Sequence, residues 1–387
     1  MNRPGNLSGD AKPWHLVKAR TDGLLSSQQQ YWYQTVGYVL AALVDSAGYS
    51  HPRQVRILNH FASLVAPYLG VAPWSDLPRW KSFMTDDHTP VELSWDFHTG
   101  IEQPTIRYSI EPIGLDAGTV ANRRNDRAAA DFKQGLVKAF PDTDTAWLDH
   151  FEACFNACRT DGVSEGHRST MFWAFDLTEQ AITNKAYFFP GAVAYARNRS
   201  KLAVIEDAIT SAPGYSSESL MSFNVFTDYV GQHLDVKLEV DMLALDLVPV
   251  DKSRLKIYFR DRRTDFRAVQ ENMSLGGWIK DPNFEMGIQR LRRLWDALLS
   301  TRDTPDNVPL PHKDHRTAGI LYNVEFRMHS KVPVVKVYIP VRHYAKNDKQ
   351  IISALTGFLT EEVGKQRGLA VAPANPEMYS RCLQNIL

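Results

Sequence analysis

The chain has 387 residues, of which 44 are Lys or Arg and 44 are Asp or Glu, so its formal net charge is zero. This balance argues against a protein that binds nucleic acid or an anionic membrane through a basic surface. A hydrophobic content of 44% excludes a wholly disordered chain, and a total of 3 cysteines excludes a disulfide-stapled scaffold. No segment has the pattern of a signal peptide or a membrane span, so we expect a cytoplasmic protein.

Helices alternate with short strands along most of the chain. Residues 1–25 are polar and are predicted to form a loose arm, and residues 26–387 are predicted to form a single domain. Predicted helices, recognised by their apolar spacing, occupy residues 28–47, 53–70, 126–139, 144–160, 199–211, 216–230, 264–274, 284–300, 348–366 and 376–387. Predicted strands, with period-two alternation, occupy residues 91–97, 105–112, 171–177, 185–190, 238–249, 254–260, 320–328 and 334–342.

The order helix, helix, strand, strand recurs roughly every 75 residues, which is typical of a repeat architecture. The last repeat has its helices but no strands after them. Consecutive antiparallel hairpins leave exposed edges unless the sheet closes on itself. The sequence therefore predicts an α+β fold, an antiparallel β-barrel built of ααββ repeats with an outer ring of helices. The inward face of such a barrel encloses a lumen.

One face of the predicted strands repeats the pattern Lys-x-Tyr, and arginines share that face. The residues are Lys185 with Tyr187, Lys256 with Tyr258, Lys336 with Tyr338, together with Arg107 and Arg254. In a single half-buried sheet such a face would point to solvent. In a barrel covered by helices it points inward, where converging cations need an anion. A diphosphate suits Arg and Lys, and tyrosine rings stabilise a cation from above their faces.

The sequence resembles the fungal aromatic prenyltransferases of the dimethylallyltryptophan synthase type, which have the ααββ-repeat (ABBA) barrel. The matching segments follow the family order over nearly the whole chain. They are TPVELSWDF (89–97), IRYSIEPIG (106–114), AFDL with KAYFFP (174–190), RLKIYFR (254–260) and KVYIPVRHY (336–344). The resemblance implies that a dimethylallyl group passes from dimethylallyl diphosphate to an electron-rich ring, usually an indole, in fungal secondary metabolism. It also implies that no cofactor is required and that Mg²⁺ or Ca²⁺ at most stimulates.

The resemblance implies roles for individual residues. Glu92 matches the glutamate that hydrogen-bonds the indole N–H and acts as the base, and nearby cations are expected to keep it ionised. The residues that match the diphosphate-binding set are Arg107, Lys185, Arg254, Lys256 and Lys336, the last standing where several relatives carry Gln. The residues that match the cation-shielding tyrosines are Tyr187, Tyr258 and Tyr338. The residues expected by analogy to flank the aromatic acceptor are Phe83, Met84 and Leu321.

Asp86 and Asp87 are the nearest approach to the Asp-rich motifs with which other isoprenyl synthases chelate Mg²⁺. No second pair follows at D-D-x-x-D spacing, so we interpret both as turn residues and predict no metal site. Relatives that use tryptophan carry a Lys in the position of Phe172 or its neighbours, and an Arg on the strand that here begins near Lys237. Both departures favour a Trp-containing cyclic dipeptide or another bulky aromatic over free tryptophan.

Two further hypotheses remain open. The acceptor could instead be a phenol, such as tyrosine or a xanthone, because Glu92 would serve an O–H as well as an N–H. Relatives also continue into a last hairpin that is missing from the predicted elements, so a non-catalytic barrel that binds prenyl diphosphate is the third hypothesis. The partners expected are dimethylallyl diphosphate and a small aromatic molecule, with no nucleic acid and no membrane, and we expect a homodimer.

Overall fold

The computed structural model describes residues 12–73, 79–97, 102–156, 166–233, 238–365 and 378–382. The chain divides into two compact units. The first comprises Met1–Thr143, His167–Asn184 and Ala370–Leu387, and the second comprises Asp144–Gly166 and Lys185–Leu369. Among the described residues, no helix combines the length and the apolar character that crossing a bilayer requires.

Helices at the start of the first unit follow local sequence signals. They are α1 (Pro13–Thr21), α2 (Ser27–Gln34), α3 (Val36–Ser46) and α4 (His51–His60), then a π-helical turn Phe61–Val65, a 3₁₀ turn Ala66–Tyr68, and α5 (Ala128–Ala139). A capping box starts α2, because Ser26 and Gln29 each accept the other's backbone N–H. The helix predicted over residues 28–47 is therefore two helices, separated at Thr35.

The prediction of a loose arm over residues 1–25 is wrong for Pro13–Thr21, whereas residues 1–11 lie outside the described residues. Pro13–Thr21 forms α1, and its Val17 is fully buried. The ring of Trp14 stacks on Tyr33 of α2 at 6.0 Å. Buried Pro13 and Val17 and the stacked Trp14 thus face the protein, although the polar composition of the segment is typical of a solvated arm.

Three antiparallel strands of the first unit pair in chain order. They are β1 (Val91–Asp96), β2 (Thr105–Ile110) and β3 (Met171–Leu177). One face is apolar and packs on the helices, where the ring of Tyr108 lies 6.0 Å from Phe61 and 4.9 Å from Phe175. The register places Glu92 opposite Ser109, and Ser109 opposite Ala174, on the other face. Period-two alternation thus separates the core from a polar face, as predicted.

The second unit has the remaining strands and most of the later helices. β4 (Ile182–Phe188) begins in the first unit and continues into the second, followed by β5 (Glu239–Asp246), β6 (Arg254–Asp261), β7 (Ile320–Arg327) and β8 (Val334–Tyr338). These strands pair antiparallel in chain order. The helices are α6 (Ala146–Asn156), α7 (Gly191–Ala196), α8 (Lys201–Thr210), α9 (Met221–Gln232), α10 (Phe266–Met273), α11 (Pro282–Leu299), α12 (Val341–Tyr344) and α13 (Asp348–Lys365). The short helices α7 and α12 were not predicted.

The apolar face of this second set of strands packs against α9. Phe226 lies 5.7 Å from Phe259 and 5.8 Å from Phe326, measured between ring centroids. Phe259 of β6 also stacks on Tyr322 of β7 at 5.2 Å. Because neighbouring residues of a strand point to opposite faces, Lys256 and Tyr258 lie on the face away from α9. The strand polarity that the sequence predicts is therefore confirmed in this unit.

Candidate active site

A cluster of cations occupies the polar face of β4 to β8. Lys256 Nζ lies 3.0 Å from Asp246 Oδ1, and Arg254 Nε donates a hydrogen bond to the other oxygen of Asp246. Arg254 Nη1 lies 3.4 Å from Glu325 Oε2, and Lys336 Nζ lies 3.9 Å from the same oxygen. In the register, Lys185 stands opposite Asp246. The structure thus brings together the predicted anion ligands of the second unit on one face.

Three charged members of this cluster were not predicted from the sequence. Asp246 and Glu325 supply the carboxylates, and Arg327 places its Nη2 2.8 Å from Glu325 Oε1. The strand register reveals them, because Lys256 and Glu325 share one register position, as do Arg254 and Arg327. Protein carboxylates rather than an outside anion are therefore the first partners of these cations, which corrects the expectation that the cations require a ligand. Positive charge still exceeds negative charge in the cluster.

Lys256 is the most deeply buried cation of this cluster, with its side chain 6% exposed. Its pKa is lowered to about 8, chiefly by burial and also by the nearby charges of Arg254 and Lys185, against the opposing effect of Asp246. Burial raises the pKa of Asp246, but its cationic partners outweigh this and hold it below the ordinary value. A bound diphosphate would place additional negative charge beside Lys256 and favour its protonated form.

The three predicted shielding tyrosines form a row beside the cations. Tyr258 lies between Tyr187 and Tyr338, with ring centroids 5.9 Å from each. Asn323 Nδ2 donates a 2.8 Å hydrogen bond to the hydroxyl of Tyr338 and fixes that end of the row. Leu321, predicted to contact the acceptor, stands opposite Tyr338 in the register. The aromatic row therefore separates the cation cluster from the position of Leu321.

Arg107, the remaining predicted diphosphate ligand, belongs to the first unit. Its Nη2 lies 2.7 Å from Asp96 Oδ2, and its Nε lies 2.9 Å from Asp176 Oδ1. Both aspartates were missed as partners, although they share the polar face of β1 to β3. They hold the guanidinium in place while leaving 41% of its side chain exposed. Arg107 can therefore donate to an anion from a fixed position.

Glu92, the predicted base, lies on the same polar face of β1. Its side chain is accessible, yet the protein atoms around it desolvate the carboxylate and raise its pKa. This direction is opposite to the expected effect of nearby cations. A carboxylate with a raised pKa is a stronger base once it is ionised, which suits the removal of a proton from an acceptor.

The segment that carries Phe83 and Met84 is anchored by a buried carboxylate. Glu111 accepts hydrogen bonds from Trp80 Nε1 at 2.8 Å and from Ser82 Oγ at 2.6 Å. The ring of Phe83 lies 5.3 Å from that of Phe172, which shares a face of β3 with Ala174 and so lies on the same side of the sheet as Glu92. Sequence reasoning missed Glu111, because a single acid after a strand carries no sign that it is buried.

The neighbouring aspartates do not form a metal motif. Asp87 accepts hydrogen bonds from Thr85 Oγ1 at 2.6 Å and from the backbone of Thr89 at 3.0 Å. This is the pattern of a turn residue, as predicted for Asp87. Over the described residues, no group of His, Cys, Asp and Glu side chains is arranged to hold a metal ion.

Comparisons with known proteins agree with this architecture. Residues 28–367 match the family described as Tryptophan dimethylallyltransferase. A 4-O-dimethylallyl-L-tyrosine synthase of Claviceps purpurea is 36% identical over 335 residues, covering 85% of this chain and 75% of the relative. A 7-dimethylallyltryptophan synthase of Aspergillus fumigatus is 32% identical over 354 residues, covering 86% of this chain and 74% of the relative. The solved complex of NotF with brevianamide F and DMSPP has a TM-score of 0.78 at 23% identity and covers 96% of this chain and 89% of NotF.

The fold predicted from the ααββ repeats is confirmed by that structural likeness, and the predicted enzyme class is confirmed by the family match. The chain is a member of the tryptophan dimethylallyltransferase family and is an aromatic prenyltransferase.

Proposed function

We propose that the protein transfers a dimethylallyl group from dimethylallyl diphosphate to the indole ring of tryptophan or of a Trp-containing small molecule. The observation that carries this proposal is the cation cluster of β4 to β8 with the tyrosine row beside it. An anion-binding surface next to stacked phenol rings suits a substrate with a diphosphate at one end and a developing carbocation at the other.

The first step of the proposed reaction breaks the C–O bond of dimethylallyl diphosphate. The electron pair leaves with the diphosphate. The side chains proposed to hold that leaving group are Lys185, Arg254, Lys256, Lys336 and Arg107. Because Asp246 and Glu325 already orient the cations, little reorganisation is needed as negative charge develops. Tyr187, Tyr258 and Tyr338 stabilise the allylic cation and exclude water that would quench it.

The second step forms a carbon–carbon bond between the cation and the indole ring, which then loses a proton to restore aromaticity. Glu92 accepts a hydrogen bond from the indole N–H and so raises the nucleophilicity of the ring, and the proton that the ring carbon loses passes to the released diphosphate. Phe83, Met84 and Leu321 are proposed to flank the ring. The accessibility of Glu92 and the packing of Phe83 on Phe172 support this assignment.

A phenolic acceptor is the second candidate. One relative, 36% identical over most of this chain, is named 4-O-dimethylallyl-L-tyrosine synthase. In that reaction the tyrosine oxygen would attack the same cation, and Glu92 would take the phenolic proton. We further propose that no cofactor is required, that Mg²⁺ or Ca²⁺ at most stimulates, and that the enzyme acts in the cytoplasm as a homodimer.

Mass spectrometry of reaction products tests the proposal. The purified protein is incubated with dimethylallyl diphosphate and, in separate reactions, with L-tryptophan, L-tyrosine, Trp-containing cyclic dipeptides and a hydroxyxanthone, each with and without EDTA. We expect an indole acceptor to gain one dimethylallyl group and the reaction to survive EDTA. An R254Q variant is the control and is expected to lose most turnover. Binding of dimethylallyl S-thiolodiphosphate without product from any acceptor would overturn the proposal and favour a binding barrel.

A further inference from the structure

Asn323 of β7 lies on the polar face of the second unit, between the cation cluster and the tyrosine row. In the register it stands opposite Tyr258 of β6 and opposite Lys336 of β8. Because Lys336 and Tyr338 share one face of β8, Asn323 reaches Tyr338 diagonally across the two strands. The residue is 2% exposed, and its Nδ2 donates to the Tyr338 hydroxyl at 2.8 Å. Asn323 is therefore a buried amide in contact with the tyrosine row.

The hydroxyls of the row are linked by an ordered chain of hydrogen bonds that begins at Asn323. Burial, chiefly, raises the pKa of Tyr258 well above its ordinary value, and a hydrogen bond with Tyr187 raises it too, whereas hydrogen bonds with Tyr338 and Asn323 lower it. A hydrogen bond that an oxygen accepts favours its charged form, and one that its hydroxyl donates favours the neutral form. Donation therefore runs from Asn323 to Tyr338, from Tyr338 to Tyr258 and from Tyr258 to Tyr187, so each phenol oxygen accepts a hydrogen bond.

One atom of Asn323 is not satisfied. Its Oδ1 is buried and makes no hydrogen bond with any of the described residues. Leaving a buried carbonyl oxygen unpaired costs about 1–3 kcal/mol, and such an exception calls for an explanation. A leucine of similar volume would avoid that cost, but it could not donate a hydrogen bond. The N–H donor is therefore what this side chain contributes to the site.

The three phenols of the row are themselves nucleophiles beside the position proposed for an allylic cation. In a self-prenylation step, the C–O bond of dimethylallyl diphosphate breaks and its electron pair leaves with the diphosphate. A new bond then joins the phenol oxygen to the allylic carbon, and the phenolic proton passes to the released diphosphate. A hydroxyl is a stronger nucleophile when a neighbouring base accepts its proton, and a weaker one when its lone pair accepts a hydrogen bond. Tyr338 is the most exposed of the three tyrosines, at 41%, so its oxygen is the one most open to attack.

From this geometry we infer that Asn323 is a positioning residue that protects the enzyme's own tyrosines from prenylation. Its N–H occupies a lone pair of the Tyr338 oxygen. Through the ordered chain it also keeps the hydroxyls directed at one another, so that the ring faces rather than the oxygens meet the cation. The inference rests on the proposed function, because self-prenylation uses the same donor and the same first step.

Mass spectrometry of the intact protein and of its peptides tests this inference. Wild type, N323L and N323D are each incubated with dimethylallyl diphosphate, with and without L-tryptophan or L-tyrosine, and the covalent addition of one dimethylallyl group is followed over time. N323L removes the donor at similar volume and should modify Tyr338 roughly tenfold faster than the wild type does. N323D replaces the donor by an acceptor of the Tyr338 proton, so we expect modification to be roughly 100-fold faster. The double variant N323D/Y338F should lose that adduct.

N184L is the matched control. Asn184 of β4 is also a buried asparagine whose Oδ1 has no hydrogen-bond partner among the described residues. It alternates with Tyr187 along β4 and therefore lies on the opposite face of the strand. We expect N184L to leave the adduct at the wild-type level, even where the substitution lowers stability.

Three results would overturn the inference. If neither N323L nor N323D forms more adduct than the wild type, whether or not it still cleaves the donor, Asn323 does not protect the row. If N184L increases the adduct as much as N323L does, the effect comes from a loosened fold. If the added group lies mainly outside the three tyrosines, the row is not what Asn323 protects. A wild type that prenylates an acceptor while the variants stay unmodified contradicts this inference alone, whereas a wild type that cleaves no donor contradicts the proposed function and the inference together.

Discussion

The pKa of Lys256, about 8, makes donor binding depend on pH. Lys256 is protonated below that value and holds one more positive charge for the diphosphate, whereas above it the side chain is neutral and donates more weakly. Donor affinity should therefore decrease as pH rises, because Lys256 loses its positive charge as pH rises through about 8. If the bound diphosphate keeps Lys256 protonated, each pH unit above that value weakens binding by up to about tenfold, or ~1.4 kcal/mol.

Calorimetric titration with dimethylallyl S-thiolodiphosphate measures this effect. We expect affinity to be steady from pH 6.5 to 7.5 and to fall by about tenfold between pH 8 and 9.5. Measured above pH 8 in buffers of different ionisation enthalpy, binding should take up close to one proton. The K256R variant is the control, since its guanidinium stays charged and should remove both the fall and the proton uptake. Any change in the protonation of the ligand itself affects wild type and K256R equally, and therefore cancels when the two proteins are compared.

One outcome would refute this reasoning. If wild type and K256R lose affinity in parallel and take up the same number of protons, Lys256 does not bind the diphosphate as a titrating cation.

Other predictions concern Glu92, His60 and Glu111. E92Q should lower turnover of indole acceptors by roughly 10²- to 10⁴-fold with an unchanged circular dichroism spectrum, and near-normal E92Q turnover would contradict the assignment. Wild-type activity should fall as pH decreases through a value above the ordinary pKa of a glutamate, because desolvation by the surrounding protein raises the pKa of Glu92. Burial lowers the pKa of His60 from 6.5 to about 4, so the folded state resists protonation of this side chain. The free energy of unfolding should therefore fall by ~3 kcal/mol as pH drops from above 6.5 to 4. Urea unfolding at several pH values checks this, and H60Q should show a correspondingly weaker pH dependence. E111Q should cost about 1–3 kcal/mol in urea unfolding and raise KM for the acceptor, because an amide offers Trp80 and Ser82 a single acceptor oxygen; unchanged stability would show that the carboxylate is not the anchor.

Strand polarity could be predicted from the sequence, since alternation is a local property. The pattern Lys256-x-Tyr258 fixes which face of β6 is polar, and the packing of Phe259 on α9 agrees. The ends of the helices were harder to predict from the sequence. The break at Thr35 depends on backbone geometry that composition does not reveal, and the docking of Val17 depends on a tertiary contact.

The counter-charges of the site were harder to predict for a physical reason. Asp246 and Glu325 look like ordinary strand acids until the register places them beside Lys256. Alternation along single strands identifies the cations and implies that they need an anion, whereas pairing between strands supplies two carboxylates directly.

The central claim is that the polar face of β4 to β8 binds the diphosphate of the prenyl donor. A crystal structure of the protein with dimethylallyl S-thiolodiphosphate tests it most directly. We expect the diphosphate oxygens within hydrogen-bond distance of Arg254 and Lys256, with the dimethylallyl group against Tyr258. A diphosphate bound elsewhere, with Arg254 and Lys256 paired only to Asp246, would contradict the account.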